Sequence, residues 1–561
     1  MSVHHISLRA IVSFQIAAGL LMVGCSAGGA VGQRDDLGPP RMYSGFGNYH
    51  RAVSTASPEA QQWFDQGIQL LYGFNHDEAI RSFHRAADLD PNCAMAWWGI
   101  AYAHGLHINN PEMGREQSRA AWNAARQALK HIDGASPVEQ SLIRAVVQRY
   151  AWPPPEDRRP LDEAYAQAMA EAWRQHRQDP DVGALYAESL MNLQPWALWT
   201  HDGKPKGRTE EIVGVLEAVM AMAPQHPGAN HFYIHAVEAS LTPERATAAA
   251  ERLGALVPGS GHLVHMPSHI FIRTGRYADA AQSNERAIEV DTAYFSVAPP
   301  PRFYRIYYVH NIHFLAYASM MEGRYEAAMA AARRLESDVP EQFVREYVTI
   351  ADGLMSTALH VMVRFGRWDD ILKEPAPADF RLLSRATWHY ARGVALAALD
   401  RTAEGRRELE AFDRAARQVA QDWYVGNNAA GTILPIMRRM LAGELAFREG
   451  RREECFRLLR EAVTMEEELA YDEPPGWMQP VRHALGALLV ADARHAEAEA
   501  VYRADLRRHP NNGWSLRGLQ QALAAQGRTD DAQMVAQQLT AAWARADVTP
   551  HASCYCQPAT P

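Results

Sequence analysis

Seven histidines lie between positions 231 and 313: His231, His235, His262, His265, His269, His310 and His313. Imidazole nitrogens are the commonest transition-metal ligands, and a carboxylate such as Glu238 can complete a set. Their i,i+3 and i,i+4 spacings put side chains on one helix face. At about 100° per residue, His262, His265 and His269 fall within an arc of roughly 60°, as do His231, His235 and Glu238. Val264, Ser268 and Phe271, the packing positions of the same stretch, centre roughly 130° away. The pattern fits a site for one metal ion or two, with zinc, copper and iron all admissible and no substrate indicated. The alternatives are a polar groove that reads an acidic peptide, or histidines that cap carbonyls. The number of imidazoles decides nothing, because the chain has 24 histidines.

Pro267, within "GHLVHMPSHI", bears directly on the arc. In a helix interior proline costs about 3 kcal/mol, whereas a first helical turn tolerates it. If a helix starts at Pro267, His262 and His265 belong to the loop before it. The ligands would then have to converge from a loop and a helix together.

The elements that position these residues are read from internal repeats. Residues 60–91, "AQQWFDQGIQLLYGFNHDEAIRSFHRAADLDP", carry Trp63, Gly67, Ala79, Phe83, Ala86 and Pro91 at spacings that resemble the tetratricopeptide repeat. Later copies include "TGRYADAAQSNERAIEVD", "EGRYEAAMAAARRL", "EGRREECFRLLREA", "DARHAEAEAVYRADLRRHP" and "QGRTDDAQMVAQQL". The resemblance implies an all-α solenoid of about ten irregular antiparallel helix pairs. It says little about function, because such arrays serve many partners. Proline-rich breaks at 152–160, 297–303, 373–380 and 472–477 interrupt the array. The organisation expected is a signal peptide over 1–25, a flexible tether over 26–57 and repeat arrays over 58–200, 201–375 and 376–545. A disordered tail over 546–561, containing Cys554 and Cys556, completes it.

The whole chain is also similar to bacterial tetratricopeptide proteins that share "FNHDEAIRSF", "CAMAWWGIAYAHG", "LWTHDGKPK", "HFYIHAVEAS", "GHLVHMPSHIFIRTGRY" and "YDEPPGW". That resemblance implies no particular activity. The chain reads "AHGLHIN" where the family pattern has "GPNIN", so this loop carries no functional expectation.

Aligning the repeats on Ala246, Ala280 and Ala328, with Gly275 set against Gly323, puts the histidines in register. His231 matches His265, which matches His313; His262 matches His310; His235 matches His269, which matches Tyr317. Continuing to Gly366 brings His360 to that last place. Packing gives histidine no reason to recur in this way. In the resembling arrays the first helices line a concave groove, so these imidazoles are expected to face one groove from adjacent helices. Glu188 and Asn192, near Trp196, Trp199 and His201, are further groove candidates or simply a packed turn. "NHDEA" reads as the start of the second helix of its pair and "YDEPPGW" as a rigid turn with aromatic packing.

Arg9 followed by "AIVSFQIAAGLLMVGC" is too short to span a bilayer and resembles a lipoprotein signal, with Cys25 as the acylated residue. A lipid-anchored protein of the bacterial cell envelope, outside the cytoplasm, is the expectation. With 561 residues, 22% charged, and a net charge of −9, the chain has no basic stripe, so nucleic acid is not an expected partner. No phosphate loop, HExxH or GxSxG signature is present, and whether the protein is an enzyme stays open. Two functions follow: a histidine-rich metal site in the groove, or a scaffold that binds peptides or envelope proteins there.

Overall fold

A computed structural model describes residues 39–298 and 303–557. The expected signal peptide, Cys25 and the first part of the expected tether lie outside the described residues. Helices pair along nearly the whole chain, from Pro58–Tyr72 with His76–Leu89 to Gly513–Ala525 with Thr529–Ala542. One two-residue ladder, Tyr424–Val425 with Asn428–Ala429, is the extent of the sheet among the described residues. The architecture is an all-α solenoid of the tetratricopeptide type. None of the described helices is long and apolar enough to cross a membrane.

Local chemistry sets the helix boundaries. Pro58, Pro137, Pro180 and Pro227 each occupy a first turn, where the missing N–H costs nothing. Ser57, Asn75, Asp179 and Asn512 cap their helices through side-chain oxygens. Several pairs turn through a left-handed glycine, among them Gly275, Gly323 and Gly366, with φ of 73°, 73° and 64°. The next N–H then returns to the first helix: Arg276 to Phe271 O, Arg324 to Ser319 O and Arg367 to Met362 O, at 2.7–2.9 Å. The first pair closes in the same way, Asn75 N–H to Leu70 O at 3.0 Å, but its left-handed residue is Phe74, with φ 55°.

Around Pro267 both sequence alternatives are partly realised. Helices Gly261–His265 and Pro267–Arg273 abut, so Pro267 does begin a helix. Met266 between them keeps helical dihedrals (φ −50°, ψ −35°), and its N–H reaches His262 O at 3.0 Å. The preceding histidines therefore stay on one continuous helical path.

The coil closes on itself. Trp514 Nε1–H donates to Met320 O at 2.8 Å, and the Asp547 carboxylate accepts the N–H groups of Tyr325 and Glu326 at 2.6 and 2.9 Å. These contacts return the C-terminal pairs to the central ones. Two boundaries differ from expectation for the same reason. Within the expected tether, Arg51 is buried and donates to Asp179 and Asp181 at 3.0 and 2.7 Å, so residues 39–57 wrap the body. Within the expected disordered tail, Ser553 is buried against Tyr502, and Cys554 and Cys556 form a disulfide. Closure also removes the open groove: His231, His235, His262, His265, His269 and His313 are all buried.

Candidate metal centre

Helix Pro227–Val237 supplies His231 and His235, one turn apart. The next first helix supplies His262, and the three offer nitrogens within 4.8 Å of one another. One repeat further on the arrangement recurs. His265 and His269 lie one turn apart, and His310 comes from the following helix, Arg305–Met321; their nitrogens also lie within 4.8 Å. Each triad is thus an i,i+4 pair plus one histidine from the neighbouring repeat, and the register links them member by member. The two triads adjoin, with His262 and His265 ring centres 6.0 Å apart and His235 and His269 5.7 Å apart.

Hydrogen-bond acceptors fix the tautomers. His231 Nδ1 lies 2.7 Å from the carbonyl of Tyr72, which ends its helix and has no intrahelical donor. His265 Nδ1 lies 2.7 Å from Asn284 Oδ1; Asn284 Nδ2 donates to Ala280 O, so that oxygen is the acceptor. His235 Nδ1 lies 2.9 Å from Glu238 Oε1, and His269 Nδ1 lies 2.6 Å from Glu238 Oε2. Carbonyl and carboxylate oxygens require the proton on Nδ1 and leave Nε2 as a bare lone pair on His231, His235 and His265, whereas His269 Nδ1 makes no hydrogen bond to Glu238 Oε2. His265 Nε2 and His269 Nε2 then face each other at 2.8 Å, and His231 Nε2 faces His262 Nε2 at 3.1 Å. Two nitrogens bound at 2.0–2.1 Å to one tetrahedral ion stand about 3.3 Å apart. His235 Nε2 and His262 Nδ1 have no hydrogen-bond partner at all. Buried acceptors left without a donor are unfavourable, and a cation among them would satisfy them.

Electrostatics agree with neutral, ligating imidazoles. Burial, reinforced by neighbouring histidines, pushes His231, His262, His265 and His310 well below the ordinary histidine range. Burial also lowers His235, although Glu238 opposes it. For Glu238 burial favours the neutral acid, but His269 and His235 outweigh it and hold the carboxyl down to about 2. Glu238, expected as a ligand, accepts from His235 through Oε1, while its Oε2 has no hydrogen-bond partner and stays free to ligate. A third grouping, Glu238 Oε2 and Glu473 Oε2 around His269 Nδ1, is a further place for a cation, since none of the three atoms has a hydrogen-bond partner.

An apolar shell surrounds the rings. Phe74 stacks on His107 and His262 (ring centres 4.3 and 5.5 Å) and tilts against His231 at 4.6 Å. Tyr307 lies 4.4 Å from His262, Phe314 5.2 Å from His265, and Trp196 edge-on to His235 at 5.3 Å. His310, only half-buried, is the most accessible ring of the six.

Other expected residues lie elsewhere. His313 joins neither triad; its Nε2 lies 3.2 Å from Met478 Sδ, and it shares a cavity with His360. Glu188 accepts from Tyr102 and Asn192 at 2.6 and 2.5 Å, beside Arg149 rather than among the histidines. Sequence reasoning missed Phe74, His107 in the "AHGLHIN" loop, and Glu473, which lies 3.4 Å from His269 Nδ1. The left-handed turn position at Phe74 was the one available signal.

No family model matches the chain, and no curated protein matches it in sequence. Among solved structures, a human IFIT1 dimer with m7Gppp-AAAA is similar at a TM-score of 0.35 and 11% identity, over 80% of this chain and 90% of that one. Yeast Tom70 is similar at a TM-score of 0.27 and 9% identity, over 86% of this chain and 93% of that one. Likeness at this level brings nothing about ligands or partners to the present chain.

Proposed function

We propose that the protein holds two transition-metal ions side by side, one in each histidine triad. His231, His235 and His262 would bind the first, and His265, His269 and His310 the second. The carrying observation is His269, whose Nε2 faces the bare His265 Nε2 at 2.8 Å and whose Nδ1 faces Glu238 Oε2 at 2.6 Å, so that a single ring proton leaves one buried acceptor facing another. Structural metal sites are closed by four protein ligands, whereas catalytic sites keep three and leave a position open. Three imidazoles per ion fit the second kind, which supports metal-dependent chemistry on a small substrate over a structural role. When bound, the ions would supply Lewis acidity or an electron-transfer couple. The chain's own contribution is to fix Nδ1 protons on Tyr72 O, Asn284 and Glu238, and to exclude water with Phe74, Tyr307, Phe314 and Trp196.

Neutral ligands narrow the metal. Two dications against six imidazoles and Glu238 would leave several uncompensated charges in a dry site, which is costly. Two copper(I) ions halve that charge, so copper fits with the least residual charge. A lipid anchor at Cys25 would place the centre in the cell envelope.

The test is metal content of tag-free protein loaded with copper(I) and, separately, zinc, with chelator washing. The expected result is two tightly held ions per chain. His231→Ala/His235→Ala and His265→Ala/His269→Ala should each lose one ion, and the two pairs combined should lose both. Metal content that is substoichiometric after loading, or unchanged in both double variants, would sink the proposal.

A further inference from the structure

We propose that His313, His360 and Met478 form a separate site for a single copper(I) ion, distinct from the six-histidine centre. His313 and His360 are buried, and both line one cavity with Met478, Met437 and Trp477. The cavity has room for about one water-sized occupant. The Nδ1 atoms of both histidines lack a hydrogen-bond partner, and His313 Nε2 lies 3.2 Å from Met478 Sδ. The cavity's hydroxyls do not meet the need, since Ser356 donates to Gly353 O and Thr387 to Leu383 O.

Thioether sulfur is a soft, uncharged ligand that selects copper(I) over zinc, magnesium or calcium. Two imidazoles and a thioether add no charge of their own, so a monovalent ion suits the buried setting better than a divalent one. The second methionine, Met437, offers another sulfur at the same wall. Placement is secured from both sides. Gln479 Nε2 donates to the carbonyl of His360 at 2.7 Å, which ties the turn carrying Met478 to the helix carrying His360. The edge of Trp477 packs on the His360 ring at 5.3 Å.

The test is anaerobic titration of the full chain with copper(I) in competition with a copper(I)-binding dye, combined with X-ray absorption at the copper edge. His265→Ala/His269→Ala and His231→Ala/His235→Ala, combined, remove the six-histidine centre while keeping this one. In that background one copper should remain, with a sulfur neighbour in its absorption spectrum. Met478→Leu, a volume-conserving change that preserves the fold, should erase the sulfur signal. It should also weaken affinity by at least the roughly 10–100-fold that losing an outer-shell partner costs. His313→Gln should do the same, and zinc should not compete. Retained copper without sulfur, undiminished affinity in Met478→Leu, or no copper in the background would overturn the site. The last outcome, meaning a water fills the cavity, leaves the two-ion centre standing. Loss of metal from the triads with sulfur-bound copper intact would sink only the two-ion reading.

Discussion

Asn284 shows how much one uncharged side chain can decide. Its amide is oriented by donating to Ala280 O, and its oxygen then fixes which nitrogen of His265 carries the proton. Asn284→Ala should leave the fold intact and weaken metal held by the second triad by about 10–100-fold. The first triad should be unaffected; a metal titration resolving two affinities checks this. The buried rings also set the pH response. Their folded-state pKa values lie well below the ordinary 6.5, so they stay neutral where exposed histidines gain protons. Metal retention after dialysis should therefore be nearly the same at pH 5.5 as at pH 7.5, whereas a surface histidine site would lose its ion. At this scale the sequence was readable where ligands sit one helical turn apart on adjacent repeats, as His231, His235, His265 and His269 do. Phe74, Glu473 and Met478 reach the histidines across separations set only by closure of the coil, and no spacing rule could have found them.

The helix pair is the unit that repeats, and some of its turns make the left-handed step without glycine, at Phe74, Asp400 and Ala493. Where Gly275, Gly323 and Gly366 make the left-handed step, the first pair uses Phe74. An L-residue there costs about 1–2 kcal/mol, and the ring thereby gained packs on three imidazoles. Phe74→Gly relieves the backbone but deletes a buried aromatic side chain, a loss of about 3–5 kcal/mol. The net should be a destabilisation of about 2–3 kcal/mol by chemical denaturation, with faster metal loss to a chelator. The repeat fold itself was legible, because glycine turns, first-turn prolines and small packing residues are local signals. The wrapping of residues 39–57 and of the tail was not. Arg51 and Ser553 find their partners only in the assembled coil. An element-scale check of that closure is Asp547→Ala, which removes the cap on helix Tyr325–Asp338. It should cost about 1 kcal/mol and loosen the C-terminal pairs first.

Closure turns a groove into an interior, and this decides what kind of molecule the solenoid can be. An open array offers its concave face to an extended partner; here that face is filled by its own rings, and the histidines lie inside. The centre is built from helices Pro227–Val237, Gly261–His265, Pro267–Arg273 and Arg305–Met321, with Tyr72 contributed by the first pair. Glu473 reaches the same rings from the C-terminal array. Ions bound one in each triad would couple segments that the chain otherwise joins only through long runs of repeats. In a repeat protein, stability is mainly a sum of nearest-neighbour terms, so such long-range coupling should be visible. Hydrogen exchange measured with and without copper should show protection gained together in residues 58–89, 227–273, 305–321 and 471–478. The pair of helices Pro137–Gln148 and Arg159–Gln175, which supplies no residue to either triad or to the His313–His360 cavity, should exchange at unchanged rates. Protection confined to residues 227–273 would mean that the metal stabilises one repeat and that closure is independent of it.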